Sequence, residues 1–185
     1  MANNGDCHMH IGLFGLSGSG KTTLATRLIC AHPNYSAISA SRLIADHGGV
    51  IDYDLLDNNN IGSNQSILVL AYEKYKANHL NTIVELHCLI ETEEGVDIVD
   101  TESLKALNLD AIFFLYLPEE EILKRRTLDT RKRRRNVTLS ELKSLQDLSV
   151  KILESAFADI TNLTTPETAF NVISAYIDEI TVNKI

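Results

Sequence analysis

Apolar residues fall along this chain in two alternating arrangements: short runs, and longer stretches in which they recur every third or fourth position. The runs are His10–Leu16, Tyr35–Ile38, Thr82–Leu86 and Ala111–Leu117, with a weaker one near Ala158–Leu163. A segment apolar throughout, such as Ala-Ile-Phe-Phe-Leu-Tyr-Leu at 111–117, predicts a strand covered on both faces. Helical spacing predicts helices from the first run to about Ala31, over Ser41–His47, over Asn64–Asn78 and over Thr101–Leu107. His32-Pro33 stops the first of these and Gly48-Gly49 the second. In the third, Ile67, Leu68, Ala71, Tyr72 and Tyr75 share one face. Asp52–Ser63, with Asn58-Asn59-Asn60 and Gly62, reads as loop.

Further on, Pro118 is expected as the first helical residue, followed by Glu119, Glu120 and Glu121 in the positive first turn of a helix ending near Asp129. Thr138 and Glu141 form a capping box, and Leu142, Leu145, Leu148, Ile152 and Ala156 repeat at helical spacing behind it. Thr165-Pro166-Glu167 opens a final helix through roughly Thr181. Strands separated by helices along the whole chain predict a five-stranded parallel sheet with helices on both faces, a three-layer α/β fold. No repeat and no linker divides the chain, so residues 1–185 are expected to form a single domain.

Composition narrows the function classes. At 185 residues with 44% hydrophobic and 23% charged, the chain can bury a sizeable core and is not disordered. Its apolar runs are far short of the roughly 20 residues of a membrane span, and no signal sequence opens it; a cytoplasmic protein without a membrane partner is expected. Cys7, Cys30 and Cys88 are odd in number and lack zinc-ligand spacing, which favours reduced thiols. The net charge of −8 is unevenly spread, because Lys124–Arg135 holds eight basic residues and one acid, leaving −15 on the remainder. An acidic body repels a long polyanion, so nucleic acid is disfavoured as a partner, whereas one cationic segment suits a compact anion such as a nucleotide phosphate. Glu121 stands four residues before Arg125 in a favourable helical pairing; Arg126, Arg131, Arg133, Arg134 and Arg135 lack such local partners.

The sharpest signal is Gly15-x-x-x-x-Gly20-Lys21-Thr22, a complete Walker A sequence set between a predicted strand and a predicted helix. Gly15, Gly18 and Gly20 let the backbone turn tightly, so that N–H groups from Ser17 to Thr23, Ser19 included, point at phosphate oxygens at the positive end of the helix. Lys21 supplies charge for the outer phosphates, and Thr22 offers a hydroxyl to Mg²⁺. ATP and Mg²⁺ are the cofactors this implies. A second acid is expected at the carboxyl edge of a neighbouring strand, and Glu85, at the end of Thr82–Leu86, meets that expectation as a magnesium-side or proton-accepting carboxylate. His87 is two residues on and projects to the same side if the strand continues through both.

With these motifs in place, the chain resembles P-loop nucleoside-monophosphate kinases, in particular archaeal-type adenylate kinases and a group of related bacterial ATP-binding proteins, over roughly His10 to Asp178. In that group an Asp-x-His sequence follows the third strand; here it is Glu85-Leu86-His87, then Cys88-Leu89-Ile90, a polar stretch and Gly95. The group's arginine spacing after the fourth strand, a short lid over the phosphates, is matched by Arg126, Asp129, Arg131 and Arg133 with one intervening residue missing. Ser41-Arg42 and Asn64-Gln65 resemble segments that flank the acceptor pocket in the relatives. The resemblance implies an ATP-dependent phosphotransferase acting on a nucleotide or similar small acceptor. Lys21, Glu85, Arg126, Arg131 and Arg133 would be catalytic, a lid would span about 126–136, and Ser41, Arg42, Asn64, Gln65 and His87 would lie by the acceptor. Glu85 replaces the group's aspartate with a side chain one methylene longer. Which of the arginines from Arg126 to Arg135 points inward is left open by spacing, as are a protein partner and a homo-oligomer. The alternative reading is an ATPase or nucleotide-dependent switch acting on a protein or RNA partner.

Overall fold

The computed structural model describes residues 8–92, 95–130 and 134–182. Five parallel strands form the main sheet: β1 (Met9–Gly15), β2 (Ser36–Ser39), β3 (Asn81–Leu86), β6 (Ala111–Leu115) and β7 (Thr161–Leu163), in the spatial order β2-β3-β1-β6-β7. Helices connect them: α1 (Lys21–Ala31), α2 (Ala40–Asp46), α3 (Asn58–Lys76), α4 (Thr101–Lys105), α5 (Glu119–Leu128), α6 (Leu139–Ala156) and α7 (Pro166–Val182). A short antiparallel hairpin, β4 (Leu89–Glu91) and β5 (Val96–Ile98), forms a separate two-stranded sheet.

Alternation along the central strands fills two cores. Phe14, Val84, Leu86, Ile112 and Phe114 face one way, against Tyr72 of α3 and Leu142 and Leu153 of α6. Ile11, Leu13, Ile83, Phe113 and Leu115 face the other, against Leu24 and Leu28 of α1 and Ala169, Ile173 and Ile177 of α7. Both faces of β1 and β6 are therefore buried, and their sequences accordingly read as unbroken apolar runs. The chain leaves β1 towards β2 on one side and returns beside it as β6 on the other. The crevice at the carboxyl ends of β1 and β3 is thus a switch point, where ligands of open α/β sheets bind. No helix among the described residues is long and apolar enough to cross a membrane.

The fold departs from the sequence expectations in three places. Helix α3 starts at Asn58, inside the segment read as loop, because the Asp57 side chain accepts from the Asn60 N–H at 2.7 Å and caps it. Pro118 is the cap of α5 and Glu119 its first helical residue. Strand β3 ends at Leu86, so His87 follows the strand, and the β4–β5 hairpin grows from the segment beyond it.

Candidate active site

Between β1 and α1 the chain turns through Leu16–Gly20, with Gly18 at φ 87° and Gly20 at φ 92°, conformations that favour glycine. Gly20 caps α1 with no side-chain hydrogen bond, so the positive end of that helix opens on the crevice. Lys21 is buried, and its Nζ donates to the Gly15 carbonyl at 2.8 Å and the Leu16 carbonyl at 3.1 Å, which folds the ammonium against the loop. The buried Ser19 hydroxyl has no hydrogen-bond partner among the described residues. Across the crevice, Ser39 at the end of β2 pairs in register with Glu85 of β3. The Thr22 hydroxyl donates to Glu85 Oε2 at 2.6 Å.

Around this pair lies a cleft of about 660 Å³, lined by Ser17, Gly18, Gly20, Lys21, Thr22 and Thr23 on one wall and Ser39, Ser41, Glu85 and His87 on the other. Arg125, Asp129 and Arg134 complete its rim. Arg125 Nη1 donates to the Ser19 carbonyl at 2.7 Å and its Nη2 to Glu121 at 2.6 Å. Arg134 Nε donates to the Ser17 hydroxyl at 3.0 Å and its Nη2 to Asp129 at 2.7 Å. The cleft continues into a cavity of about 510 Å³ bounded by Ile51, Asp52, Tyr53 and Leu56 opposite Leu89, Ile90 and Glu91. A smaller, mostly apolar recess of about 150 Å³ opens beside it, walled by Ile44, Val50, Ile61, Leu68, Ile90 and Val99.

Of the residues singled out from sequence, Ser17, Gly18, Gly20, Lys21, Thr22, Thr23, Ser41, Glu85 and His87 line the main cleft, whereas Gly15 does not and Ser19 lines a neighbouring pocket with Leu24, Arg27 and Leu115. Asn64 and Gln65 line the apolar recess. Asn64 accepts from the Val50 N–H at 3.1 Å and donates to the Val50 carbonyl at 2.6 Å, while Gln65 accepts from the Asp100 N–H at 3.1 Å, so both also brace the recess. Arg42 is exposed and ion-paired with Asp46 at 2.7 Å, outside the cleft. Arg126 lies beneath the loop, bound to Glu91, and does not line the main cleft. Arg131 and Arg133 lie outside the described residues. Ser39, Arg125, Asp129 and Arg134 line the cleft without having been singled out as site residues: Ser39 and Asp129 belong to segments that the resemblance matches, and the basic run holds the two arginines, but spacing does not say which of its members turn inward.

The donor set fits a Mg-nucleotide. The glycine turn and uncapped helix end suit phosphate oxygens, and a hydroxyl and a carboxylate meet beside them. Among the described residues no cluster of three His, Cys, Asp or Glu side chains forms a metal cage, so Mg²⁺ would arrive with phosphate oxygens as ligands and be held by Thr22 and Glu85.

Comparison with known proteins agrees with this geometry. Human nicotinamide riboside kinase 1 is 31% identical over 131 residues, covering 63% of this chain and 63% of the human protein. Among solved structures, the shikimate kinase of Acinetobacter baumannii, in complex with shikimate, superposes with a TM-score of 0.65 at 17% identity, over 96% of each chain. The tunicamycin resistance protein of Deinococcus radiodurans superposes with a TM-score of 0.63 at 16% identity, over 91% of this chain and 95% of that one. The fold is the one that these two solved structures share. A sequence model of the family described as AAA domain matches residues 14–143, well over half of the chain and all of the phosphate loop from Gly15 onward, and the chain belongs to that family.

Proposed function

We propose that this protein is an ATP-dependent phosphotransferase that moves the γ-phosphoryl group to a hydroxyl of a small acceptor. The observation that carries the reading is the Thr22–Glu85 hydrogen bond at 2.6 Å, which sets a carboxylate against the phosphate loop in a cleft that continues past Ser41 and His87 into a second cavity. A simple phosphate-binding loop needs no such cavity; a transferase needs one for each substrate.

The loop amides and the end of α1 hold the triphosphate. Lys21 exchanges the Gly15 and Leu16 carbonyls for outer phosphate oxygens, and Arg125 and Arg134 neutralise charge from the rim. Bound Mg²⁺ would supply further neutralisation of the phosphates. Glu85, in the cleft between Thr22 and His87, would accept the hydroxyl proton as the acceptor oxygen attacks, and His87, which borders both cavities, would orient that oxygen. The apolar recess of about 150 Å³ suits one flat ring, and Ser41 and Gln65 in its lining offer hydrogen bonds to ring substituents while Asn64 braces its wall through Val50. A nucleoside or nucleoside monophosphate carries both a ring and a primary oxygen. The acceptor of the human relative, a riboside by its name, has the same two parts.

The test is turnover of Mg-ATP with AMP, CMP, UMP, GMP and nicotinamide riboside, following ADP and phosphorylated acceptor together. One phosphorylated acceptor per ADP with at least one member of the panel is expected. Phosphate release at the same rate with and without every acceptor would replace transfer with hydrolysis.

A further inference from the structure

We infer that Glu91 and Arg126 are positioning residues, a strut that holds the acceptor hairpin at a set distance from the phosphate loop; the inference rests on the phosphotransferase reading above. Arg126 lies in the last turn of α5 with its side chain 5% exposed, and that of Glu91 on β4 is 12% exposed. Nη1 and Nη2 of the arginine donate to the two Glu91 oxygens at 2.9 and 2.6 Å, and its Nε donates to the Ser17 carbonyl at 2.8 Å. One planar guanidinium thus ties two walls of the site with three bonds, a rigidity that a lysine could not supply.

Each end of the strut meets something functional. At the loop, a Cβ on Gly18 would stand 2.9 Å from Arg126 Cγ, so the arginine stem occupies the space beneath the turn. At the hairpin, Leu89, Ile90 and Glu91 itself line the acceptor cavity, so the Arg126→Lys variant, which leaves that lining untouched, isolates the fork. The hairpin is a sheet of its own, so no strand ladder sets it in register with β1 or β3. Buried Cys88, Leu89 and Val99 anchor the hairpin in the core, and the fork from Arg126 fastens its Glu91 end to the phosphate loop. Arg126 does not line the main cleft, which is why it acts through Ser17 and Glu91 rather than on the phosphates.

Transfer requires donor and acceptor atoms within about 3.5 Å and in line, and a misplacement of about 1 Å can cost on the order of a hundredfold. Hydrolysis requires only the loop and a water. Loss of the strut should therefore lower transfer while sparing hydrolysis, a split that general weakening of the fold would not produce.

The experiment compares wild type with the Glu91→Leu/Arg126→Met double variant, which removes both charges and leaves neither orphaned in the interior. Mg-ATP and the best acceptor of the panel above are used, with affinity for a nonhydrolysable ATP analogue as the binding control. Analogue affinity within about threefold is expected, with kcat for transfer down roughly ten- to a hundredfold and acceptor-independent hydrolysis held, so the ratio of the two falls at least tenfold. Arg126→Lys, which keeps the charge and loses the fork, should fall between, and its ratio decides the matter should the double variant not fold. An unchanged ratio in the variants, whether both rates hold or both fall, overturns the strut alone. A wild-type protein that phosphorylates no panel member overturns the reading beneath it and the strut together.

Discussion

At the scale of single residues, the site depends on side-chain length as much as on charge. Glu85 reaches the Thr22 hydroxyl at 2.6 Å, and Glu85→Asp shortens the side chain by a methylene. Steady-state kinetics should show kcat for transfer reduced about tenfold or more in Glu85→Asp and about a hundredfold or more in Glu85→Gln, where the charge itself is lost. A Glu85→Asp enzyme at wild-type rate would mean that the carboxylate works from a different position. Lys21 and Thr22 are legible in the sequence because they sit in a short motif whose geometry is local, and Glu85, 63 residues from its partner Thr22, because it ends an apolar strand where such a sheet gathers its ligands. The arginines were not. Arg126 finds its carboxylate 35 residues away in Glu91, and Arg125 finds its carbonyl 106 residues away in Ser19, so no spacing rule could orient them.

At the scale of elements, helix ends decide where the site's walls begin. Asp57 turned three asparagines into the first turn of α3, and a reading that took asparagine as turn chemistry placed the helix start six residues late. The β4–β5 hairpin was equally hidden, since three-residue strands are too short to show a period of two. The capping box of α6 was read correctly because both partners lie within four residues. Thr138 Oγ1 accepts from the Glu141 N–H at 3.2 Å, and Glu141 Oε2 accepts from the Thr138 N–H at 2.8 Å. Its Oε1 also accepts from Arg135 at 3.3 Å, which fastens the end of the basic segment to α6. Thr138→Ala should cost about 1 kcal/mol and lower the melting temperature by roughly 2–4 °C in a chain of this size. Calorimetry checks this, and a melting temperature identical to wild type would show the cap to be dispensable.

At the scale of the whole molecule, the end of the sheet opposite the cleft carries a buried polar network. Tyr72 OH and Thr82 Oγ1 are 2.6 Å apart, and His10 Nδ1 lies 3.0 Å from the same Thr82 oxygen. Burial, then the nearby Lys76 charge, pulls His10 below its ordinary value, against a weaker opposing pull from Asp110. The unfolded chain therefore takes up a proton near pH 6.5, before the folded one does. Stability from this group is fully present above about pH 6.5 and is lost as the pH falls towards the lower folded value. Denaturant unfolding from pH 8 to pH 5 should show this fall, and His10→Asn should flatten it; an unchanged slope would remove His10 from the balance. The acidic body and the single basic segment belong to this scale too, and the structure sets part of that segment, Arg125 and Arg134, on the rim of the phosphate cleft.

Every functional statement above depends on a triphosphate seated at the amino end of α1, and calorimetric titration with a nonhydrolysable ATP analogue in the presence of Mg²⁺ measures that seat directly. One saturable site per chain is expected, with affinity weakened about a hundredfold or more by Lys21→Ala while the melting temperature of the unliganded variant stays near wild type. Absence of binding heat at millimolar analogue, or equal affinity in wild type and Lys21→Ala, would contradict the account.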